Sequence, residues 1–512
     1  MKPHAIAASL VVCAIATSQS QASVLDLQRS FHIGVYSATI AAPGGAVSLF
    51  MQVGGMDLTP AGALSGLSDS WEMTAGGTVF TPNDPFAGTY VVRPDGNAVF
   101  DLDPSHPGTN LVGLWIAPDG SLVHTARANQ DPEAISVLAV AKSSGKTLAS
   151  LNGTYRYSGQ FLHLVGGALQ TTSSWGVVTF DGIGGYTASG TEMHATAAGT
   201  TTSPNANTGT YTVAPDGAVT IGGDRGGVSD DGQLVFGMFA SPGGAELGIT
   251  IAVKVGQSYD LHDLTGRYGL HGQGYTLGTG PALPRSTTRF GEFGFAATST
   301  TLGTWTTNGV LAEGTPLGAT LSPWSPSGLA TLSSTGTLQL TASANAMTFD
   351  VSANGRYLVG RELGNNTNLL FASRQCAVAV AYGVGTAGTG GQVPSLGMKT
   401  FPMLGNSNWS LRIANGIGGG IGVLPIGFAA APGIPALGGT IFLDPTAVGF
   451  IPLVVLNGAL GVPGAGQALT TLALPTTPSL AGIQLFAQGL ILDNAAPAGF
   501  SMSNAFRAEL SR

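Results

Sequence analysis

The chain has 512 residues, of which 78 are glycine and only 9% are charged, and its formal net charge is −8. Because an average globular protein carries about 25% charged residues, this surface has to be made of Ser, Thr, Asn and Gly, which argues against a helical cytosolic enzyme whose helices are coated with long charged side chains. A sparse negative charge also gives no electrostatic footprint for nucleic acid or for an acidic membrane.

Met1-Lys2-Pro3-His4 is followed by an apolar run from Ala5 to Ala16 and a small, polar stretch from Thr17 to Ala22. That order predicts a secretory leader over residues 1–22, cleaved between Ala22 and Ser23. Its apolar core is too short to span a membrane. Cys13 leaves with the leader, so Cys376 is the one thiol expected in the mature chain and no internal disulfide is available. Stability must then come from packed area. Later apolar stretches such as Ala447 to Gly466 are broken by Pro452, Asn457 and Pro463, so no transmembrane helix is expected.

Two landmarks recur in step along the next three quarters. Leu151-Asn-Gly-Thr-Tyr155 returns as Leu264-Thr-Gly-Arg-Tyr268, and faintly as His32-Ile-Gly-Val-Tyr36. Gly88-Thr-Tyr-Val-Val-Arg-Pro-Asp-Gly96 returns as Gly209-Thr-Tyr-Thr-Val-Ala-Pro-Asp-Gly217 and decays to Gly328-Leu-Ala-Thr-Leu-Ser-Ser-Thr-Gly336. The step predicts one duplicated domain in three copies, over residues 24–146, 148–256 and 261–376. Within the second copy, alternating runs such as Trp175 to Phe180, Ala218 to Ile221 and Ile249 to Val253 are divided by Asp181-Gly182, Asp216-Gly217 and Asp231-Gly232. Asp-Gly between alternating runs signals tight hairpins, since Gly accepts the positive φ they need. No helical stripe is present. Each copy therefore reads as an antiparallel meander of roughly eight strands, an up-and-down barrel or a sandwich. A β-propeller should repeat at about 40–50 residues, which this chain does not.

The Leu-x-Gly-x-Tyr opening resembles the first strand of lipocalin-like and avidin-like barrels. The resemblance implies that Tyr155 and Tyr268, where those families prefer Trp, plug the barrel base, and that the interior holds a small apolar ligand. After Cys376, residues 377–393 form a glycine-rich hinge and 394–512 a separate segment. Leu480 to Gln488, Leu490 to Asp493, Phe500 to Arg507 and Gly405 to Leu411 together resemble a C-terminal module of large secreted planctomycete-type and myxobacterial-type proteins. It implies a non-catalytic β-sandwich used for surface retention or sorting. Typical members carry two cysteines where this chain has Thr386 and Gly439-Thr440, so a disulfide implied by the resemblance is missing here.

Candidate chemistry is thin. Gly383-Val-Gly-Thr-Ala-Gly388 matches the dinucleotide fingerprint, but Thr389 to Pro394 cannot start the helix that the pyrophosphate needs, and a linker is the better reading. No Gly-x-Ser-x-Gly elbow is present, and Cys376 has no neighbouring histidine in sequence, as expected of a small buried hydrophobe. One cluster, Asp260, His262, Asp263 and His271, offers mixed ligands to a transition metal, against the blander reading of a solvated turn. Asp101, Asp103, Asp230 and Asp231 lack calcium-loop spacing. Glu72, Glu133, Glu192, Glu246, Glu292, Glu313 and Glu362 are too dispersed to nominate a catalytic pair, although distant acids can converge in the fold. Trp71, Trp115, Trp175, Trp305 and Trp324 are read first as core and only second as sugar-stacking platforms. The expectation is an exported, non-enzymatic structural or adhesive protein that meets an extracellular matrix or cell-surface component, such as a glycan, and needs no cofactor. The alternatives are a barrel-type carrier of a small apolar ligand and an extracellular hydrolase.

Overall fold

The computed structural model describes residues 29–40, 47–59, 62–92, 97–101, 111–116, 122–126, 133–165, 168–241, 246–256, 259–264, 266–277, 285–315, 318–342, 346–363, 367–375, 380–398, 402, 404, 409–475, 477, 480 and 483–510. The leader with Ala22 and Ser23, Asp103, His106 and Cys376 lie outside them.

The fold is all-β, with three antiparallel barrels in tandem followed by a sandwich-like module. The first barrel runs β1 (Arg29–Ile40), β2 (Val47–Leu58), β3 (Ala63–Thr74), β4 (Gly77–Val92), β5 (Asn97–Asp101), β6 (Leu111–Ile116), β7 (Leu122–Ala126) and β8 (Glu133–Ala141). It closes because β1 pairs with both β2 and β8. The second repeats the plan with β9 (Asn152–Val165), β10 (Ala168–Asp181), β11 (Gly185–Thr196), β12 (Gly199–Val213), β13 (Ala218–Ile221), β14 (Asp224–Val228), β15 (Leu234–Ala240) and β16 (Glu246–Lys254), closed by β16 on β9.

The third contains β17 (Gly266–Thr276), β18 (Arg285–Ala297), β19 (Leu302–Thr315), β20 (Gly318–Trp324), β21 (Ser327–Leu332), β22 (Thr337–Thr341), β23 (Ala346–Val351), β24 (Tyr357–Leu363) and β25 (Thr367–Gln375). It returns on itself through β17–β25 and β18–β19. The single long fourth strand of the earlier barrels, β4 or β12, is here split into β20 and β21, which both pair with β19. Pro326 stands at the break, and its missing N–H ends the ladder there.

Turn chemistry fixes the closed end of the second and third barrels. Ser229-Asp-Asp-Gly232 and Ser352-Ala-Asn-Gly355 form matching turns in which the glycine takes φ +67°. In each, the serine hydroxyl donates to the Asp231 or Asn354 side chain and accepts the N–H of Leu234 or Tyr357. The turn glycine's carbonyl then accepts the hydroxyl of Tyr155 at 2.7 Å or Tyr268 at 2.6 Å. A buried phenol needs such a partner, so the turn and the plugging aromatic hold one another.

The faint opening phrase of the first copy is out of register. Leu122 pairs with Val140 as Leu234 pairs with Val253, and following each ladder to the opening strand puts Phe31, not Tyr36, at the place of Tyr155. Phe31 is buried inside the first barrel, whereas Tyr36 is on the opposite face, buried where the three barrels meet. The slip between an odd and an even position flips a strand residue to the other face.

That junction is an apolar cluster of outward-facing residues from all three barrels, including Tyr36, Met51, Phe236, Ile249, Tyr357 and Phe371. Arg225 ties the second barrel to Asp69 of the first at 2.7 Å, and Arg156 ties it to Asp350 of the third at 2.7 Å.

In the C-terminal module one sheet contains 380–382, 500–509, 484–492, 421–423 and 453–455, and another contains 395–398, 409–416 and 466–472. The glycine-rich segment expected to be a linker is instead sewn onto this module. Val380–Tyr382 pairs with the last strand, Thr386 bridges Met502, and Thr389 donates its N–H to Asp493 at 2.7 Å. Gly383, Gly390 and Gly391 take φ of +69°, +69° and +74°, so the glycines serve turns rather than slack. Thr386 packs against Gly439, with 3.2 Å between its Cβ and the position a Cβ would take on that glycine. Among the described residues no helix is long and apolar enough to cross a membrane.

Candidate functional site

The second barrel encloses a cavity of about 450 Å³. Its floor is aromatic. Phe180 meets Tyr155 edge-on at 5.4 Å and Tyr211 at 5.0 Å, and Tyr211 donates its hydroxyl to the carbonyls of Leu148 and Leu151. Side chains alternate along each strand, so every second residue faces the lumen. Tyr157 and Phe161 enter from β9, Ser174 and Val178 from β10, Glu192 and His194 from β11, and Glu246 and Thr250 from β16.

The wall has a gap. β12 pairs with β13 only through Tyr211–Val213, while its longer part, Gly199–Thr210, pairs with β11 alone. β13 and β14 are short and turn at Gly222-Gly223, both with positive φ. Among the described residues no strand fills the space above that turn between β12 and β15, and Asn205, Asn207, Gly222, Asp224 and Phe239 line the cavity there.

A hydrogen-bonded belt crosses the lumen near its open end. Glu246 Oε1 lies 3.3 Å from His163 Nε2, which lies 3.0 Å from the Thr172 hydroxyl. That hydroxyl lies 2.8 Å from His194 Nδ1, and His194 Nε2 is 3.5 Å from Glu192, whose Oε1 accepts from the Asn205 amide at 2.5 Å. Burial pushes the Glu246 carboxyl up to about 7, helped by the charges of Glu192 and Asp224. Burial, with the neighbouring His194, also lowers the pKa of His163. Near neutral pH the imidazole of this contact is therefore mostly neutral and the Glu246 carboxyl is about half ionised. Asp224, deeper in the wall, is pushed up to about 6 by burial alone.

Glu192 and Glu246, too far apart in sequence to nominate, thus converge with Asp224 in one lumen. The Asp260, His262, Asp263 and His271 cluster has a different fate. His271 is buried between the first and third barrels, its Nδ1 2.8 Å from His124 Nδ1 and its Nε2 3.0 Å from the Ser136 hydroxyl. His124 Nε2 in turn lies 2.6 Å from Ser373. Both ring nitrogens of His271 are therefore occupied at an interface. Burial holds the His271 imidazole down to about 3 and lowers that of His124, which also feels His271, so both are neutral. Asp260 precedes the short turn Leu261–Leu264, and the side chains of His262 and Asp263 lie outside the described residues. Among the described residues no group of three His, Cys, Asp or Glu is placed to hold a metal ion.

Of the tryptophans, Trp305 and Trp324 fill the third barrel, Trp115 donates its indole N–H to Leu270 at the junction, and Arg361 stacks over Trp175 at 3.9 Å. None lines the cavity.

No family model matches the chain, and no curated protein matches it. Among solved structures, the crystal structure of the isotype 1 transferrin binding protein B from serogroup B Neisseria meningitidis aligns with 69% of this chain and 78% of its own, at 10% identity and a TM-score of 0.19. So loose a superposition assigns no function.

Proposed function

We infer that the protein is an exported, non-enzymatic binding protein whose middle barrel carries a small ligand in its lumen. The observation that carries this reading is the cavity of about 450 Å³, within the range of about 300–1,000 Å³ typical of small-molecule sites. It has a sealed aromatic floor, a side opening and a fixed polar belt. Glu192 and Glu246 are restrained by Asn205, His194 and His163, which suits groups that orient a guest rather than attack it.

Native mass spectrometry of the protein purified from its source tests this. A discrete mass excess lost on denaturation is expected, and a bare chain under every condition contradicts it.

One observation favours a retention role for the C-terminal module. Leu453 and Val455 on its edge strand, with Ile451, Phe428 and Leu460, are each more than half exposed, and clustered exposed apolar side chains mark contact surfaces. In this reading the module holds the barrels at a matrix or cell surface. Leu453→Lys with Leu460→Lys should release the protein from cells, and unchanged association contradicts the role.

A further inference from the structure

We propose that the lumen of the middle barrel takes a small organic cation, an amine or quaternary ammonium on an apolar body, with its positive group among Glu192, Asp224 and Glu246 and its body against Phe161, Phe180 and Phe239. The proposal rests on the cup reading above and adds the chemistry of the guest.

Charge is the first argument. Three carboxyl groups line the cavity and no Lys or Arg does. The barrel's own cations are engaged elsewhere: Arg156 on Asp350, Arg225 on Asp69, and Lys254 at the closed end, 5.9 Å from the Tyr155 ring centroid. Burying like charges together is unfavourable unless a counter-charge joins them. Burial raises both Glu246 and Asp224, and the neighbouring carboxylates add to the rise of Glu246. No hydrogen bond or ion pair holds the Asp224 side chain among the described residues, although it is mostly buried, and it points at the cavity beside Gly237.

The walls supply the second argument. Phe161 and Phe239 pack edge to face at 6.0 Å, and Phe180 and Tyr186 sit 6.2 Å apart below them. Aromatic faces attract a desolvated cation and also bury an apolar body. An inorganic ion fits less well, since no three acidic or imidazole groups among the described residues meet at one point. A guest of molecular size spans groups that a bare ion cannot reach together.

Calorimetry on the full chain, freed of any co-purified guest, with 2-phenylethylamine, 2-phenylethanol and 3-phenylpropionate tests the proposal. The amine should bind at least roughly tenfold tighter than the isosteric alcohol, and the acid weakest. Asp224→Asn and Glu246→Gln should each weaken the amine by about tenfold and leave the alcohol unchanged. The amine's affinity should also rise from pH 5.5 to 8 as Asp224 and Glu246 lose protons; Glu192, His194, Tyr157 and Tyr186 also line the cavity and His163 contacts Glu246, and any histidine protonation at low pH acts in the same sense.

If the alcohol binds as well as the amine, or the variants bind the amine unchanged, the cation is wrong while the cup stands. If no probe binds, the compound released from source-purified protein decides: a basic nitrogen supports the proposal, its absence overturns it, and a bare chain overturns the cup as well. Asp224→Asn should not lower the thermal midpoint, because it removes a buried carboxylate without a partner. Should it fail to fold, Glu246→Gln carries the same test.

Discussion

Following the strand registers outward from Tyr155 and Tyr268 pairs each lumen position of the middle barrel with one of the third. Val178 corresponds to Phe293, Tyr186 to Trp305, Asn205 to Trp324, Asp224 to Met347 and Thr250 to Leu370. In the third barrel Phe293, Trp305, Trp324 and Phe349 pack into one cluster. Phe293 meets Trp305 at 5.7 Å and Phe349 at 5.7 Å. Above them Arg289 pairs with Glu362 at 2.6 Å, where the middle barrel has Ser174 and Phe239. An eight-stranded barrel has an interior that side chains can just fill or that can hold one small ligand. The third barrel is filled and the middle one leaves a cavity on the same strand plan, so the difference lies in a few side-chain volumes rather than in the backbone.

The largest expected effect comes from converting one into the other. Val178→Phe with Asn205→Trp should fill the middle lumen and weaken its guest by roughly a hundredfold, with an unchanged or higher thermal midpoint because the new rings enter empty space. Retained binding with an intact fold would place the guest elsewhere. In the third barrel, Glu362→Leu leaves the Arg289 guanidinium buried and uncompensated and should cost about 3–5 kcal/mol in urea unfolding, whereas Arg289→Met with Glu362→Leu should be nearly neutral. A mild effect of the single change would mean that this lumen is wet.

Outside the lumens, Thr386→Cys with Gly439→Cys should form a disulfide under oxidising conditions, since the 3.2 Å Cβ approach has to open by only a few tenths of an ångström to reach the usual ~3.5–4.5 Å separation. The bridge should add about 2–4 kcal/mol, read as the difference between oxidised and reduced melts.

The junction should be acid-sensitive. His124 and His271 are neutral when folded but take protons near 6.5 when unfolded. Their contribution is therefore complete above that pH and is lost as pH falls from 6.5 toward about 3; His271 alone accounts for about 3 kcal/mol by pH 4.5, and His124 adds to the loss in the same sense. Glu246 and Asp224 act in the opposite sense, because their folded pKa values are raised. Comparing the parent with His124→Gln/His271→Gln isolates the histidine term: the parent should lose more stability than the variant on acidification, and parallel curves would refute the assignment. The smallest effect is Tyr155→Phe, which removes the hydroxyl's bond to Gly232 and should cost about 1 kcal/mol.

Much of the fold was legible. Asp-Gly turns, alternating runs and the long-period step together specified antiparallel meanders, and Tyr155 and Tyr268 lie at the closed ends as the barrel resemblance implies. The first copy misled by five positions because Phe31 carries no hydroxyl and its phrase keeps only a stray glycine and tyrosine. The glycine-rich 383–391 stretch read as slack because composition does not show which glycines serve turns.

The cavity was illegible for a different reason. Its carboxylates lie on β11, β14 and β16, and their convergence depends on barrel closure, which no local spacing encodes. The contrast in lumen volume was nonetheless written in the text as Val178 against Phe293 and Asn205 against Trp324. It becomes readable once the registers align the copies.

The central claim is that the middle barrel is hollow and occupied while the third is filled by its own side chains. A crystal structure of the protein purified from its source tests it most directly. The account predicts electron density for a guest above Phe180, bounded by Phe161, Phe239 and Asp224, with none inside the third barrel. Side chains closing the middle lumen, or a guest bound anywhere else on the chain, would contradict it.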